Sequence, residues 1–234
     1  MLFKKFKEGI LEVLFPEICS VCGLKLSDHE NAVCNQCLNE KFEEAWSNES
    51  FSSSGVLLPE GISIQHSLWN FDKGGHLQEL LHQLKYNRLT GVGVDLGRQL
   101  GKSLLRNSLF TERIKSEKVT LIPVPLHTKK RRMRGYNQAF HVAKGVSEVT
   151  NLHIIKQDAV LRNKNTSTQT GFSIEKRRKN IDGAFDVVST SAIEGTVCII
   201  IDDVFTTGAT TFELAANLKK AGSKEIIIAT VAQA

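Results

Sequence analysis

The chain has 234 residues and a mass of 26.0 kDa, enough for one main domain with room for a small accessory one. Its 41% apolar and 24% charged residues are ordinary globular proportions, which excludes a collagen-like, low-complexity or polytopic membrane chain. Thirty basic against 25 acidic residues give a formal net charge of +5, a mild bias that suits a polyanionic partner.

Met1 to Pro16 carries apolar Phe3, Phe6, Ile10 and Leu14 at helical spacing, interrupted by Lys4, Lys5, Lys7, Glu8 and Glu12. A signal peptide needs an unbroken apolar stretch of ~7–15 residues and a membrane span needs ~18 or more. The segment therefore predicts a helix docked on the main domain rather than one lying on a membrane, and a cytoplasmic protein with no integral membrane span.

Four of the five cysteines then follow as Cys19-Ser-Val-Cys22 and Cys34-Asn-Gln-Cys37. Two such knuckles on tight turns can set four thiolates at the corners of a tetrahedron, ~2.3 Å from one Zn²⁺. Gly23 and the polar run Ser27 to Asn31 suit the small excursion between the pairs. A disulfide framework is disfavoured without a secretion signal, and tandem redox pairs are implausible. Cys19, Cys22, Cys34 and Cys37 are thus the expected ligands of a structural zinc, in a zinc-ribbon module. His29 has a metal-binding side chain, but four thiolates already saturate the ion.

The acidic stretch from Cys37 to Trp46 predicts a short helix, and the serine-rich Ser47 to Gly55 a linker. The expected division is a helix and cysteine module at residues 1–50, then the main domain at 51–234. Beyond the linker, Ile62 to Phe71 alternates as a strand. Leu77, Leu80, Leu81 and Leu84 mark one helix face, and Leu96, Leu100, Leu104 and Leu105 another. Val119 to Val124 is an apolar run, and Asn137 to Val149 is helical. Val197 to Ile201 reads as a strand buried on both faces, with Cys198 inside it. Thr210 to Ala221 reads as a helix ended by Gly222, and Ile226 to Val231 as a last buried strand. Such alternation predicts an α/β fold with a mainly parallel sheet flanked by helices.

The most informative stretch ends the central strand: Asp202-Asp203-Val204-Phe205-Thr206-Thr207-Gly208-Ala209-Thr210. In parallel sheets ligands collect at the carboxyl ends of strands. A threonine- and glycine-containing loop that opens a helix offers backbone N–H groups and hydroxyls to a phosphate. Two adjacent carboxylates suit the vicinal hydroxyls of a ribose. Phosphate plus sugar hydroxyls read by one loop means a ribose 5-phosphate. A Walker A loop would need Gly-Lys-Ser/Thr, which is missing. Gly91-Val-Gly93 has no strand before it, so it is not a dinucleotide fingerprint. An ordinary capped helix would explain one of these acids, but not both together with the hydroxyl-rich loop.

This stretch resembles the PRPP-binding loop of type I phosphoribosyltransferases. With the double Cys-x-x-Cys in front, the chain resembles the ComF family of competence-associated, phosphoribosyltransferase-like proteins. The likeness runs through Leu14-Phe15-Pro16, Leu84-Lys85-Tyr86, Ile122-Pro123-Val124-Pro125-Leu126-His127, Arg134-Gly135-Tyr136-Asn137-Gln138-Ala139, Leu161-Arg162 and Thr168-Gln169. It implies a type I phosphoribosyltransferase fold in which Asp202 and Asp203 hold the ribose hydroxyls. Thr206, Thr207, Gly208, Ala209 and Thr210 would cradle the 5′-phosphate, and Pro123, Val124, Pro125 and Leu126 would form the pyrophosphate loop. Lys85 falls where the family keeps a basic residue. Mg²⁺ would be carried mainly by the diphosphate and ribose, as suits a hard ion. The region from Arg162 to Asp182 would be a loop that closes over the site.

Two basic runs fit this picture. Lys129, Lys130, Arg131, Arg132 and Arg134 lie within six positions after the pyrophosphate loop, and Lys176 to Lys179 makes a second run. Arg134 and Arg178 are the expected diphosphate contacts, where positive charge stabilises a leaving group. The rest could equally grip a nucleic-acid backbone, although interleaved aromatics are sparse. The expectation is a PRPP-binding protein that transfers or senses the phosphoribosyl group, tied to DNA uptake or nucleotide metabolism. The competing expectation is a non-catalytic PRPP or nucleotide binder that handles single-stranded DNA alongside the DNA-uptake machinery.

Overall fold

The computed structural model describes residues 17–45, 57–164 and 181–234. The expected helix at Met1 to Pro16, the linker at Ser47 to Gly55, and the segment holding Thr168, Gln169, Lys176 and Arg178 lie outside the described residues.

Five strands form one all-parallel sheet: β1 (Ile62–Asn70), β2 (Val119–Pro123), β3 (His153–Ile154), β6 (Val197–Phe205) and β7 (Glu225–Gln233). Their spatial order is β1-β7-β6-β2-β3, which puts the most apolar strand, β6, at the centre. Val197 to Ile201 are all buried, as expected for a strand covered on both faces. Strands β4 (Val160–Arg162) and β5 (Phe185–Val187) pair antiparallel as a separate ribbon.

Helices α2 (His76–Tyr86), α3 (Thr90–Leu105) and α6 (Gln138–Thr150) cover one face, and α7 (Ala209–Lys220) the other. Leu77, Leu80, Leu81 and Leu84 are all essentially inaccessible, so the predicted stripe is the stripe that packs. In α3, Leu96, Leu100 and Leu104 are buried while Leu105 remains 37% exposed. Two further helices, α4 (Ser108–Ser116) and α5 (Thr128–Arg134), complete the connections. Among the described residues no helix is long and apolar enough to cross a membrane.

Helices α3 and α6 touch backbone to backbone. A Cβ on Gly97 would collide with the Val142 carbonyl, and one on Gly145 with the Val94 carbonyl. Only hydrogen at both positions permits that spacing.

The cysteine segment packs on the same face as α2, α3 and α6 and shares their apolar cluster through Val33, Leu38 and Phe42. The helix expected between Cys37 and Trp46 is instead α1 (Asn35–Glu40). It starts early because the Cys34 sulfur caps it, accepting from the Cys37 N–H at 3.5 Å. It stops early because residues 43–45 turn extended and bond to the outer edge of β1: Asn70 N–H donates to Glu43 O at 2.9 Å, and Ala45 N–H to Leu68 O at 3.0 Å. The Phe42 ring rests 4.9 Å from that of Trp69, covering what would be a bare sheet edge.

Buried Asp95 on α3 fixes this segment. Its carboxylate accepts the N–H groups of Asn31, Ala32 and Val33, the closest at 2.7 Å. It also pairs with Arg98 at 3.0 Å, and Arg98 reaches the carbonyl of His29.

Candidate functional site

The first site is the cysteine cluster. Cys19 and Cys22 bracket a turn closed by the Gly23 N–H on Cys19 O at 2.9 Å, with Gly23 at φ +74°. Cys34 and Cys37 sit at the start of α1. The four sulfurs lie within 4.8 Å of one another. Cys22 and Cys34 sulfurs are 3.7 Å apart, close to the ~3.8 Å edge of a tetrahedron with ~2.3 Å metal–sulfur bonds. Backbone N–H groups of Val21 and Cys34 donate to the Cys19 sulfur at 3.4 and 3.3 Å. Burial raises the Cys19 pKa, but these donors outweigh it and hold the thiol down at about 7. Burial pushes Cys34 and Cys37 upward. Four soft sulfurs at this spacing, one already disposed to ionise, can hold one metal ion. Cys198 is far less suited: it is buried in β6 and its pKa is pushed up to about 12 by desolvation.

The second site lies at the carboxyl end of β6. The strand runs through both acids to Phe205, so Asp202 and Asp203 belong to the rigid sheet rather than to the loop. Side chains alternate across a strand, and Asp203 falls on the face covered by α2 and α6. There it forms an ion pair with Lys85 from the last turn of α2. Burial alone would raise the Asp203 pKa, but Lys85 and a hydrogen bond with Gln138 bring it below its ordinary value. Lys85 shows the mirror effect: burial disfavours its charge, yet Asp203 holds it above the usual lysine range. Among the described residues no ion pair is formed on Asp202 like that of Lys85 on Asp203, although the charges of Lys85 and Arg162 reach it. Burial and the negative charge of Asp203 push its pKa well above the ordinary carboxylate value.

After Phe205 the chain turns through Thr206, Thr207 and Gly208 into α7. Gly208 takes φ +72°, and a Cβ there would meet the rings of Phe205 and Phe212. It also has no side chain with which to cap α7. Thr206 is exposed, while Thr207 and Thr210 are half-buried beside the first turn. Ala209 opens the helix.

The Arg134-to-Ala139 segment ties these parts together. Gly135 takes φ +85° and ends α5. The Tyr136 hydroxyl donates to Leu84 O, which anchors the residue before Lys85. Asn137 caps α6 through the Ala139 N–H at 3.1 Å and donates to Val124 O at 3.0 Å, so it holds the 123–126 loop. Arg134 donates to Gln138 Oε1 at 2.9 Å and lies 5.2 Å over the Tyr86 ring, and its buried Nε has no hydrogen-bond partner among the described residues. Gln138 thus accepts from Arg134 and lies close enough to Asp203 to help lower its pKa, a role that reading the sequence did not assign to it. Arg162 is the second unassigned member. It stacks 5.4 Å over Phe185 and interacts electrostatically with Asp202. Burial, then Arg162 and Arg134, depress the Lys130 pKa, so three cations crowd one region.

The structure thus brings Lys85, Arg134, Asp202 and Asp203 into one charged cluster. It sets the 123–126 loop beside them, because β2 and β6 are neighbours paired Pro123 to Ile201. Arg178 falls outside the described residues.

A parallel sheet carrying two acids and a glycine turn at its central strand end defines a phosphoribosyltransferase-type fold, and residues 133–234 match the phosphoribosyl transferase domain. Over 220 residues the chain is 30% identical to competence protein F of Haemophilus influenzae, covering 92% of this chain and 84% of that protein. It is 28% identical to the DNA utilization protein YhgH of Shigella flexneri, covering 89% and 87%. Among solved structures, the allosteric regulatory enzyme of purine biosynthesis aligns with a TM-score of 0.36 at 20% identity, over 59% of this chain and 26% of that one, about a quarter of its length. The chain belongs to the competence protein F family.

Proposed function

We propose that the protein binds PRPP with Mg²⁺ at the end of β6 and transfers or senses its phosphoribosyl group. The observation that carries this reading is the pair Asp202–Asp203 on a rigid strand, with Lys85 against one acid and an uncapped helix start immediately after. Carboxylates accept from both ribose hydroxyls. The first-turn N–H groups of α7, with Thr206, Thr207 and Thr210, meet the 5′-phosphate. Arg134, whose buried Nε lacks a partner among the described residues, and the loop of Pro123, Val124, Pro125 and Leu126 face the diphosphate. Mg²⁺ would arrive with the diphosphate and ribose oxygens and neutralise the charge there.

In transfer, the ribose C1–O bond breaks with its electron pair leaving on diphosphate, while the acceptor's lone pair forms the new bond. Positive charge that develops at C1 is met by the acidic pair, and negative charge on the leaving group by Arg134. Arg178 would add to that clamp. The cysteine cluster is proposed to hold zinc as a structural ion, with residues 1–50 as its module and 51–234 as the binding domain. Relatives bearing the names competence protein F and DNA utilization protein support a role tied to competence and the handling of DNA, which this reading places in the cytoplasm.

A second reading, contact with single-stranded DNA without transfer, is favoured by one feature. Helix α5 buries none of its residues and presents Lys129, Arg131 and Arg132 to solvent. Gel shift across a salt series reads it out. Binding that falls steeply with salt yet survives Asp202→Asn supports the DNA role, and no binding at low salt removes it.

Calorimetric titration of PRPP with Mg²⁺ tests the main reading. Wild type is expected to bind, and Asp202→Asn/Asp203→Asn to lose binding at least tenfold. Absence of heat with folded, metal-loaded wild type overturns the proposal.

A further inference from the structure

The ion pair of Lys85 with Asp203 is unlike the other lysine pair among the described residues. Lys224 meets Glu117 with 52% of its side chain exposed, whereas the Lys85 side chain is 26% exposed and that of its acid only 7%. An exposed pair contributes little. A strongly hydrated ammonium gives up water only against a charge that replaces it.

Neighbouring contacts hold Lys85 in that place. Leu77, Leu80, Leu81 and Leu84 fix α2 against the apolar core. The Tyr136 hydroxyl holds Leu84 O on one side of Lys85, and Arg134 lies over the Tyr86 ring on the other. The helix closes with the Asn87 N–H on Gln83 O at 2.9 Å, and Arg88 then turns the chain at φ +60°. The charges of both acids act on the ammonium.

Proteins hold Mg²⁺ through one or two carboxylates, with water and substrate oxygens completing six positions. The acid pair does not fit an ion held by the protein in this way. Among the described residues only the cysteine cluster gathers three or more acidic, histidine or thiol groups. Asp203 already carries a cation and is too enclosed to take a second without displacing the first, since two cations on one carboxylate repel.

We infer that Lys85 is the resident counter-cation of the acid pair, standing where a divalent ion would otherwise bind Asp203 directly. The acids stay free of metal until a ligand arrives, and a divalent ion enters only with the ligand's own oxygens. The inference rests on the strand-end reading for the identity of that ligand, but its test uses Mn²⁺ alone, an ion with the same preference for carboxylate and water.

The full chain, loaded with zinc, is titrated with Mn²⁺ in the absence of PRPP, and free Mn²⁺ is read by electron paramagnetic resonance. Wild type is expected to show no saturable site that Asp203→Asn removes. Lys85→Gln and Lys85→Met are expected to gain one site, at least tenfold tighter than any in wild type, and added Asp203→Asn to abolish it. Lys85→Arg keeps the charge and is expected to behave as wild type. Saturable binding by wild type that Asp203→Asn abolishes overturns the inference, and that measurement needs no lysine variant to fold. A folded Lys85→Gln or Lys85→Met that gains no site also overturns it, the result if Lys85 only anchors α2. Neither outcome depends on PRPP, so a failure of PRPP binding is seen separately.

Discussion

The cysteine cluster and the strand-end site are both small groups of ionisable side chains, yet they are assembled in opposite ways. All four sulfurs come from residues 19 to 37, and two tight turns suffice to bring them together. The acid site draws Lys85, Arg134, Gln138 and Asp203 from three helices and a central strand, and it exists only once the sheet has formed. Locally built sites are written in spacing. Sites built by the fold are written as separate residues whose partnership appears only in three dimensions. The two also differ in composition: the cluster is built of thiols alone, whereas the acid pair includes a cation, Lys85, against Asp203.

The largest effect should come from breaking the local site. Cys34→Ser removes one sulfur but leaves a hydroxyl able to cap α1, so it isolates the metal-ligand role, and structural zinc sites contribute about 10–16 kcal/mol in isolated peptides. Metal analysis is expected to fall from one zinc per chain to none, with a melting transition lost or lowered by more than ~10 °C. A metal-free variant that melts like wild type would refute the structural role.

Asp95→Ala probes the link between the regions. It strands the N–H groups of Asn31, Ala32 and Val33 and leaves Arg98 without its buried partner. Arg98 keeps its pair with Glu148, so the cost lies in the stranded N–H groups, about 1–3 kcal/mol for an unsatisfied buried donor, to be read by urea unfolding. If the cost is under ~1 kcal/mol, the two regions are held together by apolar contact alone.

Gln138→Leu is a sharper cut at the assembled site. It removes the acceptor of Arg134 beside Asp203 but roughly keeps side-chain volume, so stability should change by only ~1 kcal/mol. PRPP affinity should fall about tenfold, with Gln138→Glu failing to restore it because a second negative charge faces Asp203. Unchanged affinity in Gln138→Leu would mean that Arg134 and Asp203 act independently.

Asp202→Asn should give the smallest effect, and one of opposite sign. Asp202 has a folded-state pKa raised above its unfolded value. Its ionised form therefore opposes folding above that pKa, and the cost disappears as pH falls and the proton is taken up. The variant should melt ~2–4 °C higher than wild type at neutral pH, with the difference shrinking as pH is lowered toward 4. Equal melting points across that range would mean that Asp202 is fully solvated.

Much of this was legible in the chain. Val197 to Ile201 has no polar residue, so its central position followed from composition alone. The leucines of α2 and α3 announced their faces, and the Cys-x-x-Cys spacing announced the sulfur cluster. Other features were hidden for physical reasons. The edge pairing of residues 43–45 depends on a free side of β1, which no local pattern encodes. Gln138 looks like an ordinary first-turn residue until Asp203 is seen beside it. The role of Asp95 depends on three N–H groups more than sixty positions upstream. Residues 160–162 are too short a run to declare a strand until β5 returns to pair with them.

The glycine contact between α3 and α6 has a mechanical meaning. Where two helices meet through Gly97 and Gly145, no side chain lies between them to absorb a displacement, and close-packed interiors transmit strain. One of those helices carries Asp95, which grips the cysteine segment; the other begins at Asn137 and Gln138, which position Val124 and Asp203. The cysteine segment and the acid pair are therefore joined through a helix contact in which backbone meets backbone, with no flexible side chain between them at its centre.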